Sequence, residues 1–94
     1  MSMSIQAGSL NGAAPIMSGE EMYRLGLEAS ITSEESAADL VVAHKWFNLA
    51  AMQGHLEART YRAELAIEMS QDEIAEAQRQ AREYLMSNKP NPAY

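Results

Sequence analysis

The chain has 94 residues, which argues for a single small domain. It carries 13 acidic and 7 basic side chains, a formal net charge of -6 and no cluster of lysine or arginine, which excludes nucleic acid as a partner and disfavours an anionic membrane surface. It has no cysteine, so disulfides, iron–sulfur clusters and a thiol nucleophile are excluded, and a reducing compartment is favoured.

Residues 1–17 are rich in glycine, serine, alanine and asparagine and show no apolar period, which predicts a flexible N-terminal tail. They hold no positive charge and no continuous apolar run, so they do not resemble a secretory signal. No stretch of the chain approaches the roughly 20 apolar residues of a membrane-spanning helix. We therefore expect a soluble, cytoplasmic protein with no membrane contact.

A first helix is predicted to begin near Ser18, because Ser18 and Glu21 have the spacing of a capping box. Apolar residues then recur at helical spacing on one face, namely Met22, Leu25, Gly26 and Ala29. A glycine in mid-helix costs about 1 kcal/mol relative to alanine. Gly26 therefore predicts that another helix approaches closely at this point.

The second helix is predicted to begin between Ser33 and Asp39, in a segment with several capping oxygens. Its apolar stripe matches helical spacing in full and comprises Ala43, Trp46, Phe47, Ala50 and Ala51. Further apolar residues lie off the stripe, namely Val41, Val42, Leu49 and Met52. A helix that is apolar nearly all round is normally buried between neighbours. Gly54 is suited to end it.

Two more helices are predicted after Gly54. The third extends from about His55 to Met69 and carries the stripe Ala58, Tyr61, Leu65 and Met69. Ser70 and Glu73 then form a second capping box. The fourth helix has one apolar face, which comprises Ile74, Ala77, Ala81, Tyr84 and Leu85. Ser87 and Asn88 end it, and Pro90 prevents its continuation.

These elements predict an all-α fold of two helical hairpins, stacked as a short α-solenoid over residues 18–86. Residues 87–94 are predicted to form a flexible C-terminal tail. The hairpins also resemble a degenerate repeat, because Tyr23-Arg24-x-x-Leu27 recurs as Tyr61-Arg62-x-x-Leu65. Helical repeats have periods in this range.

The second helix carries an alanine, an aromatic pair, a double alanine and a glycine at fixed spacing. This string resembles the Sel-one-like repeat, a relative of the tetratricopeptide repeat that is found in bacterial signalling and envelope processes. The matching residues of the string are Ala43, Trp46, Phe47, Ala50, Ala51 and Gly54, followed by Ala58. Leu25 and Gly26 match the Leu-Gly pair of the family's first helix. The segment from Met69 to Glu83 resembles the closing segment of bacterial members. Ala29 departs from the family, which has a tyrosine there, and Arg62-Ala63 replaces a second Leu-Gly pair. The resemblance implies a scaffold or adaptor that binds proteins.

Catalytic and metal sites have weak candidates only. His44 and His55 lack the spacing of paired metal ligands, so we expect His44 on a helix surface and His55 at a helix start. Three acidic pairs, at 20–21, 34–35 and 72–73, fall at predicted helix starts, where carboxylates favour the helix dipole. No phosphate-binding glycine loop or nucleophile elbow is present. We expect no enzymatic activity, no metal and no cofactor.

Four residues are candidates for binding a protein partner. Tyr23 and Leu27 lie off the packing stripe of the first helix, and the first helices of such repeats line the concave surface. Packing against the N-terminal tail is an equally weighted alternative for this pair. Val41 and Met52 lie on a side of the second helix that two hairpins leave uncovered. Trp46 is expected in the core, with an exposed interface position as the alternative.

The leading functional hypothesis is a non-enzymatic protein–protein interaction module, an adaptor or scaffold. The alternative is a structural or regulatory subunit that completes a larger complex or an enzyme assembly. About three repeats are usually needed before a helical stack buries a continuous core, and this chain offers about two. We therefore expect a homodimer, or a monomer that becomes more stable when its partner binds. The identity of that partner does not follow from the residues.

Overall fold

The computed structural model describes residues 17–88. Over this range the chain forms four α-helices and no strand, which confirms the all-helical prediction for the described part. The helices are α1 (Gly19–Ala29), α2 (Leu40–Met52), α3 (Leu56–Glu68) and α4 (Gln71–Asn88). None of the four has both the length and the apolar character needed to cross a membrane. Of the predicted tails, 1–17 and 87–94, residues 1–16 and 89–94 lie outside the described residues.

Reciprocal capping boxes begin α1 and α4, as the sequence predicts. The Ser18 hydroxyl accepts from the Glu21 N–H at 3.2 Å, and the Glu21 carboxylate accepts from the Ser18 N–H at 3.2 Å. Ser70 and Glu73 make the same pair of bonds, at 3.1 Å to the Ser70 hydroxyl and 2.8 Å to the Glu73 carboxylate. Each box satisfies backbone donors that have no partner within the helix.

The segment between α1 and α2 contains a turn at Ser33 and, further along, the N-cap of α2. The Ser33 hydroxyl accepts from the N–H groups of Glu35 and Ser36, so it closes a turn and does not begin a helix. Asp39 is the N-cap of α2, and its carboxylate accepts from the Val42 N–H at 3.1 Å. Helix α2 therefore begins at the late end of the predicted interval.

Helix α2 lies at the centre of the fold and makes the main contacts with each of the other three helices. Its buried apolar residues are Ala43, Phe47, Leu49 and Ala50. Mostly small residues meet it from the surrounding helices, namely Met22, Gly26, Ala58, Ala77 and Ala81. This position explains why α2 is apolar nearly all round. Helices α3 and α4 each pack mainly on α2.

The crossing of α1 and α2 depends on the absence of a side chain at Gly26. A Cβ at this position would lie 2.6 Å from two ring carbons of Phe47. Real Cβ atoms do not approach other carbons so closely, because close-packed interiors leave no slack for such overlap. The close helix approach predicted from Gly26 is therefore confirmed.

Three side chains differ from their predicted environment. His44 is buried, with 4% of its surface exposed, because α3 and α4 cover the side of α2 that carries it. Trp46 is only partly buried: its ring packs edge-on against Tyr84, with centroids 5.3 Å apart, and the Lys45 ammonium lies 4.5 Å from the ring centre. Tyr61 is 41% exposed, because it lies at the margin of α3 that faces α1.

The ends of the helical region differ slightly from the predicted boundaries of 18 and 86. Met17, placed in the tail by its sequence context, packs partly buried against the core. Helix α4 continues to Asn88, whose side-chain amide donates to the Tyr84 carbonyl at 2.9 Å. This bond satisfies one carbonyl of the last turn, and the helix ends at Asn88, as the prediction that Ser87 and Asn88 end it requires.

Candidate functional site

A cavity of 200 Å³ opens between α3, the end of α1 and the start of α2, and we call it the aromatic groove. Its lining consists of Ser30, Leu40, Phe47, Tyr61, Glu64, Leu65 and Glu68. Phe47 is fully buried beneath it, while Leu40 and Leu65 are half-buried and Tyr61 is exposed. The groove therefore has an apolar floor that solvent reaches in part.

Aromatic rings continue from this groove along α1 towards the start of α3. The Tyr61 ring stacks on Phe47 with centroids 5.4 Å apart and lies 5.9 Å from the Tyr23 ring. Tyr23 in turn stacks on His55 at 4.2 Å. Tyr23 and Tyr61 are the two tyrosines that occupy equivalent positions in the predicted internal repeat. The structure places them side by side, which makes α1 and α3 neighbours on this face.

His55 fixes one end of the aromatic row. Its Nδ1 accepts from the Ala58 N–H at 3.2 Å, so it is the N-cap of α3 and the expected start-of-helix position is confirmed. The other ring nitrogen, Nε2, lies 3.1 Å from the Glu20 carboxylate and donates to it when the ring is neutral. Burial, then Tyr61 and the Glu57 carboxylate, raise the pKa of Tyr23, so its phenol stays protonated at neutral pH.

Carboxylates border the aromatic face at both ends. Glu64 and Glu68 lie at the groove, four residues apart on α3, and neither makes an ion pair within the described range. Glu20 and Glu57 lie beside His55 at the other end of the row. An apolar surface edged by carboxylates suits an apolar segment that also carries positive charge.

The four predicted protein-binding residues do not form one surface. Tyr23 is partly buried in the aromatic row, and Leu27 packs partly buried against the core. Val41 is half-buried near the start of α2, whereas Met52 is 60% exposed at its end, about 16 Å away along the helix axis. Their binding function stays a prediction, and only Tyr23 lies in the aromatic row that adjoins the groove.

Helix α3 carries a second apolar stripe on its solvent side, which was not predicted from the sequence. Leu56 is 69% exposed and Ile67 is 84% exposed. Thr60 and Ala63 lie between them, and the four residues fall at i, i+4, i+7 and i+11 on one face. The same spacing can be found in the sequence. It does not stand out there, because the stripe on the opposite face, which begins at Ala58, is more continuously apolar.

A second opening of 410 Å³ lies between α2, α3 and α4, and we call it the polar cleft. Its lining consists of His44, Asn48, Arg62, Ala63, Ala66, Ile74 and Gln78. The aromatic groove and the polar cleft therefore flank α3, one towards α1 and the other towards α4. No group of three histidine or acidic side chains is placed to hold a metal ion within residues 17–88.

The residues of the Sel-one-like string have packing positions in this structure. Gly26, Ala43, Phe47, Ala50 and Ala58 are buried, and Gly54 adopts a positive φ of 91° at the end of α2. The string therefore describes how the helices fit together and does not by itself indicate a ligand. No model of a known protein family, no curated protein and no solved structure matches this chain.

Proposed function

We propose that this chain is a non-enzymatic protein-interaction module of the Sel-one-like type, an adaptor or scaffold, and that its aromatic groove binds an apolar, basic segment of a partner protein. The observation that carries the proposal is the combination of a partly accessible apolar floor with two carboxylates at its edge that make no ion pair within residues 17–88. The neighbouring positions of Tyr23 and Tyr61 on α1 and α3 support the proposed arrangement as a short α-solenoid, although α3 and α4 each pack mainly on α2 and not on each other.

The apolar part of the groove accommodates one large side chain. Its volume is 200 Å³, and Leu40, Leu65 and the exposed face of Tyr61 supply the contact surface. Burial of a leucine or phenylalanine side chain contributes about 1.5–3 kcal/mol. Tyrosine at the margin adds contact area at a low cost in side-chain entropy, as in many binding surfaces.

The charged part of the groove determines which partner residues can lie next to the apolar side chain that fills the cavity. Glu64 and Glu68 present two carboxylates on successive turns of α3. Lysine or arginine in the partner, next to the apolar anchor, pairs with them, while an acidic segment is repelled. The net charge of -6 favours the approach of a basic partner over a longer range.

A peptide-display selection tests the proposal and does not require the partner to be identified. Random peptides are selected on the intact chain and counter-selected on the variant Tyr61→Ala, Glu64→Lys, Glu68→Lys. We expect the retained peptides to share one large apolar residue beside lysine or arginine. Their affinity, measured by fluorescence anisotropy, should fall at least tenfold for the triple variant.

The matched control is Glu83→Lys, which reverses an exposed carboxylate on α4 away from the groove. Glu83 pairs with Arg79, and an exposed ion pair of this kind contributes about 0–1 kcal/mol, so the fold is retained. Peptide affinity should be nearly unchanged in this variant. A selection whose peptides bind the triple variant as tightly as the intact chain would refute the groove as the binding site.

The exposed stripe on α3 favours a second candidate, a structural subunit that completes an assembly. Among the large apolar residues of the described range, Ile67 is the most exposed, followed by Met86 on α4 and Leu56 at about equal exposure. Helix faces of this kind normally pack against a neighbour. A homodimer through α3 is the simplest such assembly, because a two-fold axis buries the same stripe twice.

The two candidates predict different behaviour of the isolated chain. An adaptor folds without another protein, as a monomer or a homodimer, and binds peptides through the groove, while a subunit needs its assembly for stability. Substitution of Leu56 by glutamate leaves groove binding intact if the adaptor proposal holds. The same substitution disrupts assembly if the α3 stripe is the functional surface.

A further inference from the structure

The polar cleft between α2, α3 and α4 contains a buried side chain whose hydrogen bonds are incomplete. His44 is 4% exposed, and its Nδ1 has no hydrogen-bond partner among residues 17–88. A buried polar atom without a partner costs about 1–3 kcal/mol. An apolar residue would fill the same position without this cost, so the imidazole is poorly explained by packing alone.

Arg62 supplies a cation at the same cleft. Its Nη1 donates to the Asn48 Oδ1 at 2.7 Å, which holds the guanidinium over the cleft. Arg62 is partly buried and makes no ion pair with any residue of the described range. A guanidinium has five N–H donors, so this one bond leaves others for a ligand.

The remaining polar groups of the cleft are also suited to donate. Asn48 uses its oxygen to accept from Arg62, which leaves its amide NH₂ as a donor. Gln78 brings a second side-chain amide from α4. Burial and the nearby positive charge of Arg62 lower the pKa of His44, so the imidazole is neutral at neutral pH. Among the lining residues that the structure describes, Arg62 is then the one positive charge.

The rest of the lining is aliphatic. Ala63 and Ala66 form the α3 wall, and Ile74 faces them from the start of α4. Helices α3 and α4 each pack mainly on α2, and this arrangement leaves the cleft open between them. A ligand therefore meets donors and one positive charge at one part of the cleft, and hydrocarbon at the other.

We propose that the polar cleft binds a small aliphatic carboxylate, with the carboxylate at Arg62 and the Asn48 amide, beside the buried His44 ring, and the hydrocarbon against Ala63, Ala66 and Ile74. One guanidinium matches the single charge of a carboxylate and its two oxygens in a fork geometry. A phosphate dianion would leave one charge without a partner in a partly buried site. The function of this site is independent of the aromatic groove.

Two sources share this ligand chemistry, a free short-chain acid and the C-terminal residue of a peptide. The test uses butyrate for the first and N-acetyl-leucine for the second, each titrated into the ¹⁵N-labelled full chain. Butyramide, which has the same hydrocarbon without the charge, and sodium chloride at matched ionic strength serve as controls. The readout is the chemical shift of the Arg62 Nε–H and of the α3 and α4 amides.

We expect saturable shifts with at least one of the two carboxylates, and none with butyramide. The tighter of the two identifies the source. Arg62→Gln should weaken the affinity at least tenfold, while Arg59→Gln, on the exposed side of α3, should leave it unchanged. Should Arg62→Gln fail to fold, Asn48→Ala serves as the second variant, and the same direction of change is expected.

Three outcomes would overturn the proposal. The first is an equal response to butyramide, which would mean that only the hydrocarbon is bound. The second is a linear shift that sodium chloride reproduces, which would mean a general effect of ionic strength. The third is an unchanged affinity in a folded Arg62→Gln or Asn48→Ala variant. None of these results depends on peptide binding at the aromatic groove.

Discussion

At the scale of single residues, the contact between Gly26 and Phe47 fixes how closely α1 and α2 approach. The Phe47 ring occupies the space that a Cβ at Gly26 would need. Phe47 is also the largest fully buried side chain of the described range. The glycine alone predicts that some helix comes close, because mid-helix glycine is otherwise unfavourable. The contact of Gly26 with Phe47 could not be predicted, because helical spacing shows which residues share a face of one helix but not which faces of two helices pack together.

Gly26→Ala should therefore lower the stability of the protein. The gain in helix propensity is about 1 kcal/mol, but overpacking against a rigid ring typically costs about 1–3 kcal/mol and more when the backbone must shift. We expect a net loss in the free energy of unfolding, measured by urea denaturation. Arg24→Ala, at an exposed position of the same helix, is the control and should change stability by a few tenths of a kcal/mol.

The same pair predicts a measurable coupling. Phe47→Leu alone leaves a cavity and costs stability. Combined with Gly26→Ala, the smaller side chain makes room for the new methyl group, so the double variant should lose less than the sum of the two single losses. A double-mutant cycle in urea measures the difference. Strictly additive losses would show that the two side chains do not compete for the same space.

His44 predicts how stability responds to pH. Its pKa in the folded protein is lowered from 6.5 by burial and by Arg62, so the unfolded chain binds a proton more readily than the folded one. The contribution of neutral His44 to the free energy of unfolding is thus fully present above about pH 6.5. It is lost as the pH falls below that value towards the lowered pKa of the folded protein. The charged group that faces His44 across the cleft is Arg62 of α3, and the α4 lining contributes no titratable side chain.

His44→Leu should remove this pH dependence and raise stability at neutral pH, because it also removes a buried nitrogen that has no hydrogen-bond partner among residues 17–88. The measurement compares the free energy of unfolding at about pH 8 and about pH 5 in the two proteins. The fall between these pH values should be smaller in the variant. An identical fall in both proteins would mean that the imidazole titrates normally. Carboxylate binding at the cleft should weaken in the variant.

At the scale of helices, capping side chains are the most predictable features of this chain. The boxes at Ser18 and Ser70 could be predicted because each joins residues only three positions apart, and such local bonds follow from sequence alone. Exposure is less predictable. Tyr61 and Trp46 have the spacing of core residues, yet both are partly exposed, because exposure depends on which neighbouring helix arrives and how far it extends.

The junction of α2 and α3 depends on one glycine. Gly54 has a φ of 91°, and a Cβ there would meet no atom within 4 Å, so any penalty of substitution arises from the backbone. Gly54→Ala should cost about 1–2 kcal/mol. Gly54→Asn should cost less, because asparagine tolerates positive φ better than other residues. Gln53→Ala is the control at the neighbouring exposed position, and thermal unfolding ranks the three. Equal stability of the alanine and asparagine variants would contradict this account.

At the scale of the whole molecule, one helix organises the fold and leaves its neighbours incompletely covered. Helix α2 contacts all three others, and the core it builds is made largely of alanine, with Phe47, Met22 and Leu49 as its large members. A core of this size stabilises a small domain only modestly. The outer side of α3, by contrast, keeps large apolar residues in solvent.

The candidate sites themselves are only partly predictable from the sequence. Tyr23 stands out in the sequence because it lies off the predicted stripe of α1. In the structure it packs partly buried against the core and adjoins the aromatic groove through Tyr61. Glu64 and Glu68 do not stand out, because exposed glutamates on a helix are common and nothing local distinguishes them. The polar cleft could not be predicted because it joins α2, α3 and α4, and its members meet only when the tertiary packing is known.

The exposed stripe of α3 leads to a prediction about self-association. Two copies that meet about a two-fold axis bury Leu56 and Ile67 of each, and thereby give each short stack a neighbour. The net charge of -6 opposes this weakly, because physiological salt screens charges beyond about 8 Å. Sedimentation at tens of micromolar should detect a dimer. Leu56→Glu with Ile67→Glu should shift it to monomer, because burial of four carboxylates, two from each copy, in an apolar interface is costly.

Met86→Glu is the matched control for that double variant, because Met86 is equally apolar and 70% exposed but lies on α4. This control should remain dimeric. If Met86→Glu dissociates the protein and the α3 variant does not, the interface lies on α4. A wild-type chain that sediments as a thermally stable monomer would show that four helices already close their own core. In that case the need for a third repeat, inferred from the number of hairpins, does not hold for this fold, and the α3 stripe has no function in association between copies.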